Sequence, residues 1–205
     1  SVGRLTTTSS NDTDSNDTLG SIELIGDSIR HTGGQSGIKT RTLTRDAYNS
    51  STNIQLGDGE NRRSQLDLSE AELTTALDDR IEELYIGRDT GANAEESETG
   101  GAITMVSDIT FSPSVTLRSP TTINTNGYAL ATTGSADLTL QANGDITTGT
   151  LTTENGDITV NTPGYFRAVE SKLENGDRTS IETGGNNKIS IRHGGNGTLP
   201  FTVGD

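Results

Sequence analysis

The sequence predicts an all-β chain wound as a parallel solenoid, and three observations predict it. Short apolar/polar alternations recur, as in Leu138-Thr139-Leu140, Ile158-Thr159-Val160 and Ile189-Ser190-Ile191. A period of two puts alternate side chains on opposite faces of a strand with one face buried. Between these runs the corner Asn-Gly-Asp returns at Asn143-Gly144-Asp145, Asn155-Gly156-Asp157 and Asn175-Gly176-Asp177, and Asn-Gly supplies the positive φ of a sharp turn. The third observation is leanness: 28% of the 205 residues are hydrophobic and 3% aromatic, well below a compact globular domain. The apolar residues are nevertheless clustered at strand spacing, which argues against disorder. A solenoid needs few inward side chains per coil because neighbouring coils share most backbone hydrogen bonds.

Hairpins folded into an antiparallel sandwich are the competing architecture. Spacing favours the solenoid. Ile158 follows Leu138 by twenty residues, and Ile103 follows Leu84 by nineteen, which suits stacked β repeats. At roughly twenty residues per circuit the chain makes at most about ten coils, near 48 Å at the usual strand spacing.

Residues 1–20 form a polar N-terminal segment of low complexity, ahead of a β-solenoid over 21–205. Asp12, Asp14, Asn16 and Glu23 fall at positions one, three, five and twelve of a calcium loop, so calcium is a candidate ligand there. Position six is Asp17 rather than Gly, and a solvated loop joining two coils is the competing reading. Residues 22–29 read as two short strands around a Gly break. The Gly-rich run 31–37 lacks the Lys-Ser/Thr of a phosphate loop and reads as a corner. Residues 38–44 and 53–59 alternate again.

The stretch around 69–83 differs. Ser69 followed by Glu72 is a capping box, and Leu73, Leu77, Ile81 and Leu84 recur at helical spacing. One short amphipathic helix inserted across the β structure is expected. Residues 60–98 hold twelve acidic residues against four Arg. From residue 102 the strands become dense, and Pro113, Pro120 and Pro163 fall between them, where no ladder donor is lost. Tyr165 and Phe166 either plug a widened coil or lie on the surface. Residues 201–205 remain strand-like with no polar capping repeat, which would leave an exposed sheet edge.

Chemistry is sparse. The net charge of −14 repels phosphate and argues against nucleic acid as a partner. No apolar run is long enough to span a membrane. No signal peptide is evident, so the chain reads as a mature or excised piece. Absence of Cys excludes thiolate catalysis, and His31 and His193 are isolated. Stacked corner aspartates Asp145, Asp157 and Asp177 suggest a cation site or the acidic cluster of a polysaccharide-cleaving β-helix enzyme. The plain alternative is turn chemistry, with Asp simply following Asn-Gly in a solvated corner. An outward array of Thr147, Thr148, Thr150, Thr152, Thr153 and Thr159 is similar to ice-binding solenoids, but its spacing is irregular.

The segments LTLQANGDITTGTLTTENGDITVNT, GGNNKISIRHGGNG and LPFTVGD, with LDLSEAELTTALDDRIEELYIGR and GGAITM upstream, resemble cyanobacterial surface exoproteins of the filamentous haemagglutinin family. Some of these carry a caspase-like CHAT domain elsewhere. The resemblance covers about residues 66–205 and implies a right-handed parallel β-helix, exported to the cell surface or extracellular space. It implies a role in adhesion or surface architecture. The expected reading is non-catalytic, with self-association end to end expected from the unprotected sheet edges and contact with polysaccharide or other surface components expected from the outward polar ladders. The alternatives are a polysaccharide-cleaving enzyme on the same scaffold, or a scaffold segment of a larger CHAT-type protein. The family's N-terminal secretion domain is not recognisable here.

Overall fold

A computed structural model describes residues 4–8, 20–26, 40–47, 49, 51–57, 65–74, 77, 80–88, 101–169, 171–172, 178–179 and 181–194, with side chains at all of these except 4–8, 171–172 and 178–179. The strands are β1 (Arg4–Thr8), β2 (Ser21–Ile25), β3 (Thr42–Asp46), β4 (Asn53–Leu56), β5 (Gln65–Leu68) and β6 (Glu83–Gly87). They continue as β7 (Ile103–Met105), β8 (Ile109–Phe111), β9 (Ser114–Ser119), β10 (Ile123–Asn124), β11 (Leu130–Thr132), β12 (Leu138–Ala142) and β13 (Ile146–Thr148). The last are β14 (Leu151–Thr153), β15 (Ile158–Thr162), β16 (Phe166–Ala168), β17 (Ser171–Lys172), β18 (Arg178–Thr179), β19 (Ile181–Thr183) and β20 (Ile189–His193). Among the described residues a single short helix, α1 (Glu70–Leu73), lies between β5 and β6.

The chain is mainly β and its sheets are mainly parallel. Among the described residues every pairing is parallel except β1 with β2 and β17 with β18. The hairpin sandwich, which needs antiparallel neighbours, is not how these strands are joined. The first sheet has the order β1-β2-β3-β6-β9-β12-β15-β20, the second β16-β13-β10-β7-β4-β5 and the third β19-β14-β11-β8. From β7 to β16 the chain visits the second, third and first sheets in fixed rotation.

Equivalent positions in the first sheet recur after 23, 20 and 31 residues. The expected twenty-residue step from Leu138 to Ile158 is a true register pair. The nineteen-residue step from Leu84 to Ile103 is not. Leu84 pairs with Leu43 and Val115 in the first sheet, whereas Ile103 pairs with Ile54 and Ile123 in the second. Similar local alternation hides which sheet a strand joins.

Alternation dictates the core. In β9, β12 and β15 the residues Val115, Leu117, Leu138, Leu140, Ile158 and Val160 are all buried, while the Thr between each pair is partly exposed. Stacked in register they form continuous aliphatic columns, each buried side chain contributing about 1.5–3 kcal/mol. Strand ends carry inward hydroxyls instead. Ser119 donates to the Gly101 carbonyl (2.9 Å), Thr125 to Tyr128 (3.0 Å) and Thr132 to Ala136 (2.6 Å). Thr153 and Thr162 do the same to Gly156 and Gly144. Buried threonine thereby satisfies corner carbonyls that the ladders leave unpaired.

Burial corrects the expected outward array. Thr148, Thr150 and Thr153 are buried, and Thr147, Thr152 and Thr159 lie on three different sheets. The helix is also shorter than the expected 69–83. The capping box is present, with Ser69 Oγ accepting from the Glu72 amide (3.3 Å) and Glu72 accepting from the Ser69 amide (3.0 Å). The α-helix nonetheless ends at Leu73, and Leu84 belongs to β6. Leu77 and Ile81 are still buried, so the apolar spacing reports burial rather than continued helix. The three prolines fall between strands as expected.

Candidate functional site

The polar surface is built from columns, because parallel pairing in register stacks like positions on one another. One outward column of the first sheet runs Glu23, Thr44, Tyr85, Thr116, Thr139, Thr159, Ser190. Tyr85 carries the guanidinium of Arg118 on its ring at 4.0 Å and donates its hydroxyl to Glu83 at 3.1 Å. Burial and the Glu83 carboxylate raise the Tyr85 pKa, against the opposing charge of Arg118.

A second kind of column occupies the corners. Asp157 donates its amide to Asp137 Oδ1 (2.7 Å), and Lys188 donates its own to Asp157 Oδ1 (2.8 Å). Tyr165 donates likewise to Asp145 (2.9 Å), Ala129 to Asp108 (2.7 Å) and Ala102 to Asn53 (3.1 Å). At these corners a residue just before a strand (or, for Asn53, at its first position) thus hands a side-chain oxygen to the equivalent amide beside the next strand of the same sheet. This is the work of the corner aspartates. Asp145 and Asp157 do not stack on each other: Asp145 precedes β13 of the second sheet and Asp157 precedes β15 of the first. The neighbour of Asp157 across the parallel pair β12–β15 is Asp137, a position that the repeated Asn-Gly-Asp motif did not mark. Asp177 lies outside the described residues.

Of the candidate calcium ligands, Asp12, Asp14 and Asn16 also lie outside the described residues. Glu23 sits inside β2, half-buried and in register with Thr44. His31 is outside too, and His193 ends β20. Among the described residues no three or more His, Asp or Glu side chains cluster as a metal site would require. Tyr165 is 44% exposed, while Phe166 is half-buried and stacks in register on Ile146.

The most enclosed charged groups among the described residues were not legible as a site. Asp46 is buried and accepts from Arg88 Nε at 3.1 Å and from the Ala47 amide at 2.7 Å. Arg88 also donates to the Ala47 carbonyl at 3.1 Å. With Asn49, Thr52, Ile54, Gly101 and Pro120 they line a shallow depression. Desolvation raises the Asp46 pKa, with Arg88 opposing and Glu23 adding to the rise. Beside it in β3, Arg45 is fully buried, and its three guanidinium nitrogens have no hydrogen-bond partner among the described residues. Desolvation lowers its pKa while the nearby Glu72 carboxylate raises it. The signal was present in Thr42-Leu43-Thr44-Arg45: the inward parity set by Leu43 falls on an arginine two residues later.

Comparison with known proteins returns no match to a family model, a curated protein or a solved structure.

Proposed function

We propose that this chain is a right-handed parallel β-helix of the filamentous haemagglutinin type, serving outside the cell as a non-catalytic adhesive or fibre-forming rod. The observation that carries the reading is the fixed rotation of the chain through three parallel sheets, with Val115, Leu138, Ile158 and Ile189 in continuous register. Backbone pairing along such an axis supplies stiffness that a lean interior does not. The hydroxyl column from Thr44 to Ser190 is the surface assigned to polysaccharide or other cell-surface components, since it repeats donors and acceptors at about the 4.8 Å strand spacing.

Self-association end to end is part of the same reading. Tyr165, Val169 and Ile189 are 44%, 42% and 43% exposed, and all belong to the last circuits. Ile189 continues a column whose earlier members, Leu138 and Ile158, are fully buried. Electron microscopy and sedimentation at rising concentration test it. Rods that lengthen, and that Ile189→Glu returns to monomers, support the reading. Monomers at every concentration would remove the filament, and a compact, non-elongated particle would remove the β-helix itself.

A further inference from the structure

We infer that Asn155-Gly156 is a site of spontaneous modification, at which the folded chain converts its own asparagine to aspartate and isoaspartate. The reaction is intrinsic to Asn-Gly. The Gly amide nitrogen gives up its proton to solvent base and attacks the Asn Cγ, forming an N–C bond as the Cγ–Nδ2 bond breaks and ammonia leaves. Water then opens the resulting succinimide at either carbonyl, yielding aspartate or isoaspartate. Two things govern the rate within a fold: freedom of the Gly amide to attack and freedom of the Asn side chain to rotate.

Three Asn-Gly pairs fall among the described residues, and the structure sorts them. At Asn143-Gly144 the nucleophile is engaged, because the Gly144 amide donates to the Thr121 carbonyl. At Asn126-Gly127 the electrophile is engaged: Asn126 Nδ2 donates to the Met105 carbonyl at 2.7 Å, inside a tight turn closed by the Tyr128 amide on Thr125 (2.9 Å). Asn126 and Gly127 both hold positive φ there, 53° and 82°. At Asn155-Gly156 the main-chain amide of Asn155 is held by Gly134 (2.8 Å). Its exposed side chain and the Gly156 amide have no hydrogen-bond partner among the described residues; Gly156 itself is buried, so solvent base reaches its amide when the corner opens locally.

The fold cannot escape the reactive pair by replacing the glycine. A Cβ at position 156 would stand 1.9 Å from the Ala136 carbonyl oxygen of the preceding circuit. Conversion places a new carboxylate between Glu154 and Asp157. The isoaspartate form also inserts a methylene into the corner whose Gly156 carbonyl accepts the Thr153 hydroxyl.

Incubating the folded chain at mildly alkaline pH, followed by peptide mapping and isoaspartyl-methyltransferase labelling, tests this. The Asn155 peptide is expected to convert about fivefold or more faster than those of Asn143 and Asn126, the rate equivalent of one net hydrogen bond. In urea the three should converge, showing that the order comes from the fold. Asn155→Gln, which would have to close the larger glutarimide ring and does so far more slowly, should silence that peptide alone. Equal rates in the folded chain, or faster conversion at Asn143 or Asn126, would overturn the assignment.

Discussion

Arg45 stands in a slot that both neighbouring strands fill with an aliphatic side chain, Leu24 on one side and Ile86 on the other. A buried guanidinium without hydrogen-bond partners costs free energy at every pH at which it is charged, and an apolar residue of similar size removes that cost. Arg45→Leu is therefore expected to stabilise the fold by about 1–4 kcal/mol, read from urea denaturation; a loss of stability would show that the charge is well compensated. Asp46 makes a pH-dependent case. Burial raises its pKa above the ordinary 3.8, with Arg88 opposing and Glu23 reinforcing. Between 3.8 and the raised value the folded state binds more protons than the unfolded one. This group's contribution therefore grows as pH falls through the raised value, is complete below 3.8 and is lost on the way up. Stability of the parent chain relative to Asp46→Asn should rise on acidification from neutral pH. A constant difference would place the carboxyl pKa at its ordinary value.

At the scale of elements, the corner aspartates act where ladders start. Asp157→Ala leaves the Lys188 amide without its acceptor and should cost about 1 kcal/mol. Asp157→Asn keeps an oxygen in place and should cost only a small fraction of that. If both variants lose equally by chemical denaturation, charge rather than the hydrogen bond is what matters. Element existence was legible to a useful degree. The strands around Leu84, Ile103, Leu138, Ile158 and Ile189 lie where alternation put them, and the Ser69–Glu72 capping box opens α1. The length of α1 was not legible. Leu77, Ile81 and Leu84 satisfy helical spacing, but a short helix is weakly held by its own backbone, and Leu84 gains more by stacking between Leu43 and Val115.

For the whole molecule, order should be greatest where strands have neighbours on both sides. Hydrogen exchange is expected to be slowest in β9, β12 and β15 and fastest in β1 and β20, the outermost strands of the first sheet among the described residues. Uniform protection across the first sheet would mean that the chain opens only as one unit. The eight strands of that sheet stack to about 34 Å at the usual spacing, shorter than the length expected from twenty-residue circuits. The difference lies in insertions, such as the 31-residue step that carries β17 and β18 between Asp157 and Lys188.

Taken alone, the order of residues settled what was local: strand positions, inward parity, Gly corners and the helix start, each governed by side-chain alternation or backbone conformation within a few residues. Tertiary structure alone decided which strand meets which, because Leu84 and Ile103 look alike until pairing places them in different sheets. It also decided that half of the threonines read as outward are buried, that Asp157 serves the circuit after it, and that Arg45 points into the core. Those outcomes depend on contacts between residues twenty or more positions apart, which no local pattern encodes.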